Sequence, residues 1–189
     1  MSGGYASAQH DRMLAGVVKA CYVVAVDLAA SPPVCRVSDG EWTSAWVRWH
    51  SIAAGKARHW RAPSLNEQGS LVSPSGDVSQ GTFIPGLYGN AGAPPDNRDH
   101  VETWRFDDGG SLVYDWKAKS YTITLPSGTV TIKVGGSTAV VTDNAVNVTS
   151  GQITLKGAVT IDGPLHVTGA VTGDASILAT GASDNHHTH

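Results

Sequence analysis

Hydrophobic and polar positions alternate along most of this chain, in two different styles. Up to about residue 90 the alternation comes in separated runs, Val17 to Val26, Val34 to Val37, Ser44 to Trp49, Gly69 to Ser73 and Thr82 to Leu87. A period of two over four to eight residues is that of half-buried strands. Residues whose backbone geometry favours turns stand between them: Ser31-Pro32-Pro33, Asp39-Gly40, Pro74-Ser75-Gly76-Asp77 and Pro85-Gly86. Five short strands punctuated in this way suit a small barrel, with one helix-like stretch around Ser51 to Ala57. Gly89 to Asp99 mixes Gly, Pro and charge as an exposed linker does.

After Tyr121 the style changes. Apolar residues alternate with polar ones at Ile123 and Leu125, then Val130, Ile132 and Val134, Val146 and Val148, Ile153 and Leu155, Val159 and Ile161, and Leu165 and Val167. Ser127-Gly128, Gly135-Gly136, Asp143-Asn144, Ser150-Gly151, Gly157, Gly163-Pro164 and Gly169 interrupt them, each permitting a bend. Every run has one apolar face, and every Trp, Tyr and Phe of the chain lies at or before Tyr121, so no bulky side chain is left to complete a core here. A single-chain solenoid, at about 20 residues per coil, would have barely three coils. Three chains wound about a common axis bring all the apolar faces together and remove exposed sheet edges, and the pattern therefore predicts an intertwined homotrimer. The expected organisation is a tail over 1–14, a barrel domain over 15–95, a neck over 96–120, a repetitive β region over 121–178 and a tip over 179–189.

Bulk properties narrow the partners. A formal net charge of −3 over 189 residues gives no broad basic footprint, so neither nucleic acid nor an anionic membrane surface is indicated. No run approaches the roughly 20 apolar residues of a membrane-spanning helix. The opening MSGGYASAQHDR lacks the basic and apolar regions of a signal peptide, which points to folding in a cytoplasm. Cys21 and Cys35 lie in apolar strand-like segments and are expected as free buried thiols.

The chain ends SDNHHTH. His187 and His189 are two residues apart, so on an extended strand both imidazoles project from one face. Two such ligands are a weak site. A threefold axis turns them into six, two stacked rings of three, able to enclose one ion octahedrally. That geometry suits iron(II), nickel or cobalt and suits tetrahedral zinc poorly. A saturated shell has no open position for water or substrate, so the metal is expected to be structural. His186 falls on the opposite face, and His166 reads as an ordinary strand histidine.

Rival chemistry is thin. An enzyme would need a nucleophile or an acid/base set, and Asp107-Asp108, His50, His59 and Glu67 have no catalytic context. Asp107-Asp108-Gly109-Gly110 reads as a hairpin turn feeding Ser111 to Tyr114. Trp42, Trp46, Trp49 and Trp60 could form a sugar-binding platform, but a small barrel needs large side chains for its core and interfaces.

The segments TSAWVRWHSIAAGKARHWRAP, NEQGSLVSPSGDVSQGTFIPGLY and WRFDDGGSLVYDW resemble the phage baseplate assembly protein V family, the central spikes of contractile phage tails and R-type pyocins. Residues 15 to 116 carry most of the likeness. The resemblance implies an all-β chain: an N-terminal OB-fold-like barrel attached to the baseplate hub, then a trimeric triple-stranded β-helix with a metal-capped tip. It also implies one iron ion per trimer held by His187 and His189 of three chains. The implied role is a structural spike of a virion or tailocin baseplate, assembled in the host cytoplasm, that pierces the outer envelope of the target bacterium on sheath contraction. The alternative is a trimeric tail fibre that binds or degrades surface polysaccharide. The barrel's name implies no nucleic-acid binding.

Overall fold

The computed structural model describes residues 3–173, which fall into two units dividing between Pro126 and Ser127. The first opens on a helix, α1 (Gly3–Val17), that runs directly into β1 (Val18–Asp27). The sequence pattern announced no helix there. Its C-terminal end docks on the turn Pro74–Gly76 by close backbone approach: Val17 accepts from the Ser73 N–H at 2.8 Å. A Cβ at Gly76, whose φ is +73°, would sit 2.6 Å from the Met13 carbonyl carbon.

The barrel uses β1, β2 (Val34–Ser38), β3 (Arg48–Trp49), β4 (Gln68–Val72) and β5 (Thr82–Leu87), in the order β2-β1-β4-β5-β3. Cys35 and Val47 exchange both backbone hydrogen bonds at 2.8 Å, which brings the sheet's two edges together into a nearly closed barrel. Inward positions follow the period of two. Cys21, Val23, Cys35, Val37, Val47, Leu71 and Phe83 form the buried core, with Val26, Trp42, Trp49 and Val78 packed against it. Gly69 is required by this packing, since a Cβ there would lie 2.6 Å from the Phe83 ring edge. Both cysteines are free and buried, as the sequence reading expects. Burial pushes the Cys35 thiol up to about 11 and raises Cys21 as well.

Two elements differ from expectation. The strand expected over Ser44 to Trp49 is reduced to Arg48–Trp49 plus isolated bridges. Buried Ser44 turns its hydroxyl to accept from the Val37 N–H at 2.9 Å instead of continuing a ladder. The helix-like stretch Ser51 to Ala57 is not helical but a looped excursion, closed by His59 N–H donating to Ala53 at 2.9 Å and by the Ala54–Arg58 bridge.

The first unit also holds a three-stranded antiparallel sheet of β6 (Val101–Arg105), β7 (Ser111–Asp115) and β8 (Ser120–Thr124), in chain order. The β6–β7 connection is the expected hairpin turn, with Gly109 at φ +87° and Asp108 Oδ1 accepting from the Gly110 N–H at 2.9 Å. The second unit is an antiparallel meander of β9 (Thr129–Val134), β10 (Ser137–Thr142) and β11 (Val146–Thr149). Residues 150–173 follow it without strand pairing inside the single chain.

Ion pairs fasten the first unit. Lys19 Nζ donates to Asp39 at 2.6 Å, and this bond, aided by the Trp42 N–H, holds the Asp39 carboxyl at about 2. Arg98 lies 2.7 Å from Asp96 and 3.3 Å from Asp115. The Arg98 guanidinium keeps Asp96 far below the usual carboxylate range, and Asp115 is lowered chiefly by the Ala118 N–H. Burial alone would raise Glu67, but the Arg61 fork at 2.5 and 2.8 Å and the Ser64 N–H outweigh it and leave the carboxyl lowered. Depressed folded-state carboxylates contribute stability that is complete above their ordinary values, 3.8 for Asp, and is lost as pH falls through the depressed ones. The thermal midpoint of the barrel should therefore hold steady from neutral pH to about pH 5 and fall between about pH 4 and pH 2. Lys19→Met should reduce that acid dependence, as read by calorimetry across pH.

Candidate functional site

Cross-strand register decides which side chains share a face, and in the β9–β11 sheet it sorts them cleanly. Val130, Val141 and Val146 form one row, and Ile132, Ala139 and Val148 the next. Val134 continues the same face opposite Ser137, whose hydroxyl lies 2.8 Å from that of Ser150. The other face carries Thr131, Val140 and Asn147, then Lys133, Thr138 and Thr149. The alternation at 130, 132, 134, 146 and 148 thus converges on one surface, joined by Ala139 and Val141. That surface is bare in the single chain: Ile132 is 64% exposed, Val134 74% and Val146 70%. Beyond it Ile153, Leu155, Val159, Ile161, Leu165 and Val167 are all exposed as well.

The β6–β8 sheet repeats the arrangement with larger residues. One row is Glu102, Tyr114 and Tyr121, and the next is Trp104, Leu112 and Ile123. Tyr121 is 61% exposed. The opposite face, with Val101, Thr103, Val113 and Asp115, is half-buried. Burying one aliphatic side chain of this kind contributes about 1.5–3 kcal/mol, so the uncovered faces are a large store of unused stabilisation.

The other candidate residues are not assembled into a site. His50 Nε2 lies 2.8 Å from the Thr82 hydroxyl, His59 stands edge-on to Trp104 with ring centroids 5.8 Å apart, and Glu67 is committed to Arg61. Asp107 and Asp108 are in the hairpin turn. The tryptophans meet their own surroundings: Lys19 lies over Trp42 at 5.2 Å, Arg36 over Trp46 at 5.8 Å, and Trp60 tilts against Trp49 at 5.8 Å. His187, His189 and His186 lie outside the described residues. Among the described residues no group of three or more His, Cys, Asp or Glu is placed to hold a metal, His166 is exposed, and no helix is long and apolar enough to cross a membrane.

Face identity makes the interface testable. Ile132→Asp, on the apolar face, should abolish or strongly weaken the oligomer, because a carboxylate buried without a partner costs several kcal/mol. Thr131→Asp, one residue away on the polar face, should leave it intact. Sedimentation velocity of the two variants should separate them, and equal behaviour would contradict the assignment of faces.

Comparison with known proteins agrees with this division. Residues 19–88 match the model of the type VI secretion system/phage-baseplate injector OB domain, and residues 102–174 match that of the Gp138 β-helical trimerization domain. The chain is also 28% identical over 155 residues to the spike protein of Escherichia phage P2, across 81% of this chain and 68% of that protein. The first match begins within β1 and covers the other four barrel strands, and the second begins within β6 and takes in both apolar faces. A trimerization domain supports a homotrimer, in which other copies are available to cover those faces. From barrel to apolar strands, the chain is thus similar first to a phage-baseplate injector OB domain and then to a β-helical trimerization domain, the order in which its two kinds of strand follow one another.

Proposed function

We propose that this protein is the envelope-piercing needle of a contractile tail or tailocin, working by mechanics and without catalysis. The observation that carries the reading is the continuous supply of apolar strand faces with no aromatic side chain after Tyr121. Wound as three chains, such strands make a closed, edgeless shaft whose unfolding requires all three to separate together, and this gives the stiffness that transmits load. Force comes from the sheath, attachment to the hub protein from the barrel, and the contact with the target's outer membrane is transient. Assembly takes place in the host cytoplasm.

The tip belongs to the same proposal. His187 and His189 of three chains hold one iron ion with six imidazoles and cap the end of the shaft. When bound, the metal supplies cross-linking alone, because six protein ligands leave no coordination position for substrate. The His-x-His spacing and the threefold assembly support this.

Two outcomes test the reading. Elemental analysis should find one metal per trimer, and replacing both His187 and His189 by Ala should remove it while the trimer stays folded, whereas His186→Ala should retain it. Neutral imidazole is the binding form, so metal should be released as pH falls below about 6.5, or lower where metal competes with the proton. One metal per chain would overturn the scheme. Deleting residues 179–189 should leave particles assembled but reduce infection or killing, and unchanged killing would count against piercing.

A further inference from the structure

The loop that stands where the sequence suggests a helix, at Ser51 to Ala57, lies in a segment with its own charge pattern. Residues 42–66 hold four of the chain's 13 Lys and Arg, namely Arg48, Lys56, Arg58 and Arg61, and none of its 16 Asp and Glu. The net charge of −3 conceals this, because the acids lie elsewhere in the chain. Arg61 is neutralised by its fork on Glu67. Arg48, Lys56 and Arg58 are exposed and have no carboxylate within 4.0 Å among the described residues.

Backbone and side-chain bonds brace this loop. The His50 N–H donates to the Phe83 carbonyl at 2.8 Å, the Ser51 hydroxyl donates to the His59 carbonyl at 2.5 Å, and Ala54 bridges Arg58. Lys56 therefore stands in a closed turn, and Arg58 Nε donates to the Gly55 carbonyl at 3.3 Å. At the foot of the loop His59 meets Trp104 and Trp60 leans on Trp49. The same segment leaves apolar side chains uncovered: Ile52 is 80% exposed and Trp60 65%. Arg and Trp beside an exposed aliphatic have the composition of a protein-binding surface, and a braced loop loses little conformational freedom when it binds.

Resting on the reading of the barrel as the attachment domain, we propose that this loop is its docking surface, and that the partner, the hub of that reading, presents an acidic protein face with an apolar centre. Charge complementarity selects the acid, since three cations without counter-charges steer and hold carboxylates. Ile52 selects protein over nucleic acid, because an aliphatic side chain offers no flat face for a base to stack on, and the Trp60 ring is already packed against Trp49.

The test puts variants in place of the wild-type chain in the strain that produces the tails and measures how much enters purified particles. Lys56→Glu with Arg58→Glu should sediment and melt as the wild type does, because both side chains are exposed, yet its incorporation should fall by about tenfold or more. Lys56→Arg with Arg58→Lys keeps both charges and should enter normally. Ile52→Ser, which changes no charge, should also lower incorporation. Zero-length carbodiimide coupling of wild-type particles should join Lys56 to an Asp or Glu of another tail protein. Charge-reversed protein that enters particles as well as the wild type would overturn the inference and leave the needle reading standing. Coupling of Lys56 to this same chain alone would do so too, by making the loop an interface between copies. A single-stranded oligonucleotide that binds the free wild type at physiological salt, and not the charge-reversed variant, would make the ligand nucleic acid and equally overturn it. Wild-type chain absent from the particles would remove the attachment reading and this docking surface together.

Discussion

The architecture depends on one constraint, that a short β-strand with a single apolar face must put that face against something. The barrel meets it within one chain. Its five strands curl until Cys35 reaches Val47, and a core of seven residues closes inside. The strands that follow cannot do this, because three-stranded sheets of Ile, Val and Thr have neither the length nor the bulk to fold back on themselves. Their faces stay open in the single chain, and the likeness to a trimerization domain points to other copies as their cover.

The same constraint explains which parts of the fold were legible in the sequence. Four of the five barrel strands stand where period two and the intervening turns placed them, since alternation reports a half-covered sheet directly. The helix α1 went unread because its composition carries no strong apolar stripe, and it is held by backbone contact at Gly76, which hydropathy does not record. The strand β10 was hidden for another reason. Ala139, Val140 and Val141 are consecutive apolar residues, so the alternation that identifies its neighbours is broken by Val140 on the polar face. At Ser51 to Ala57 the helix-like residues instead build a loop fixed by Ser51 and His59, a choice made by side-chain hydrogen bonding.

The candidate sites divide in the same way. The apolar interface was readable because it is a pattern. The aromatic face of the β6–β8 sheet was not, because Glu102, Trp104, Tyr114 and Tyr121 become neighbours only through the register of β6, β7 and β8. Nothing in the spacing of those four residues signals that they meet. The tip histidines are the reverse case, visible in sequence as a spaced pair and given coordinating power only by the assembly proposed for them.

Register links these features. Strands that repeat Val, Thr and Ile with small turns specify alignment weakly, since a slip of two residues keeps every apolar side chain on the apolar face. Within residues 146–171 such a slip exchanges the first aliphatic of each pair, Val146, Ile153, Val159 or Leu165, for the second, and puts the second on Ser150, Gly157, Gly163 or Gly169. The β6–β8 sheet is different, because two residues from Glu102 stand His100 and Trp104, and two residues from Tyr121 stand Lys119 and Ile123. Wherever three chains meet through that sheet, its bulky and charged side chains penalise misalignment, and the repetitive strands that follow inherit the register it sets. A site built from one His-x-His pair per chain needs all three chains at the same height. For the tip proposed above, repeated aliphatic pairs set that height less firmly than the neck does, where Glu102 and Tyr121 have only unlike residues two positions away.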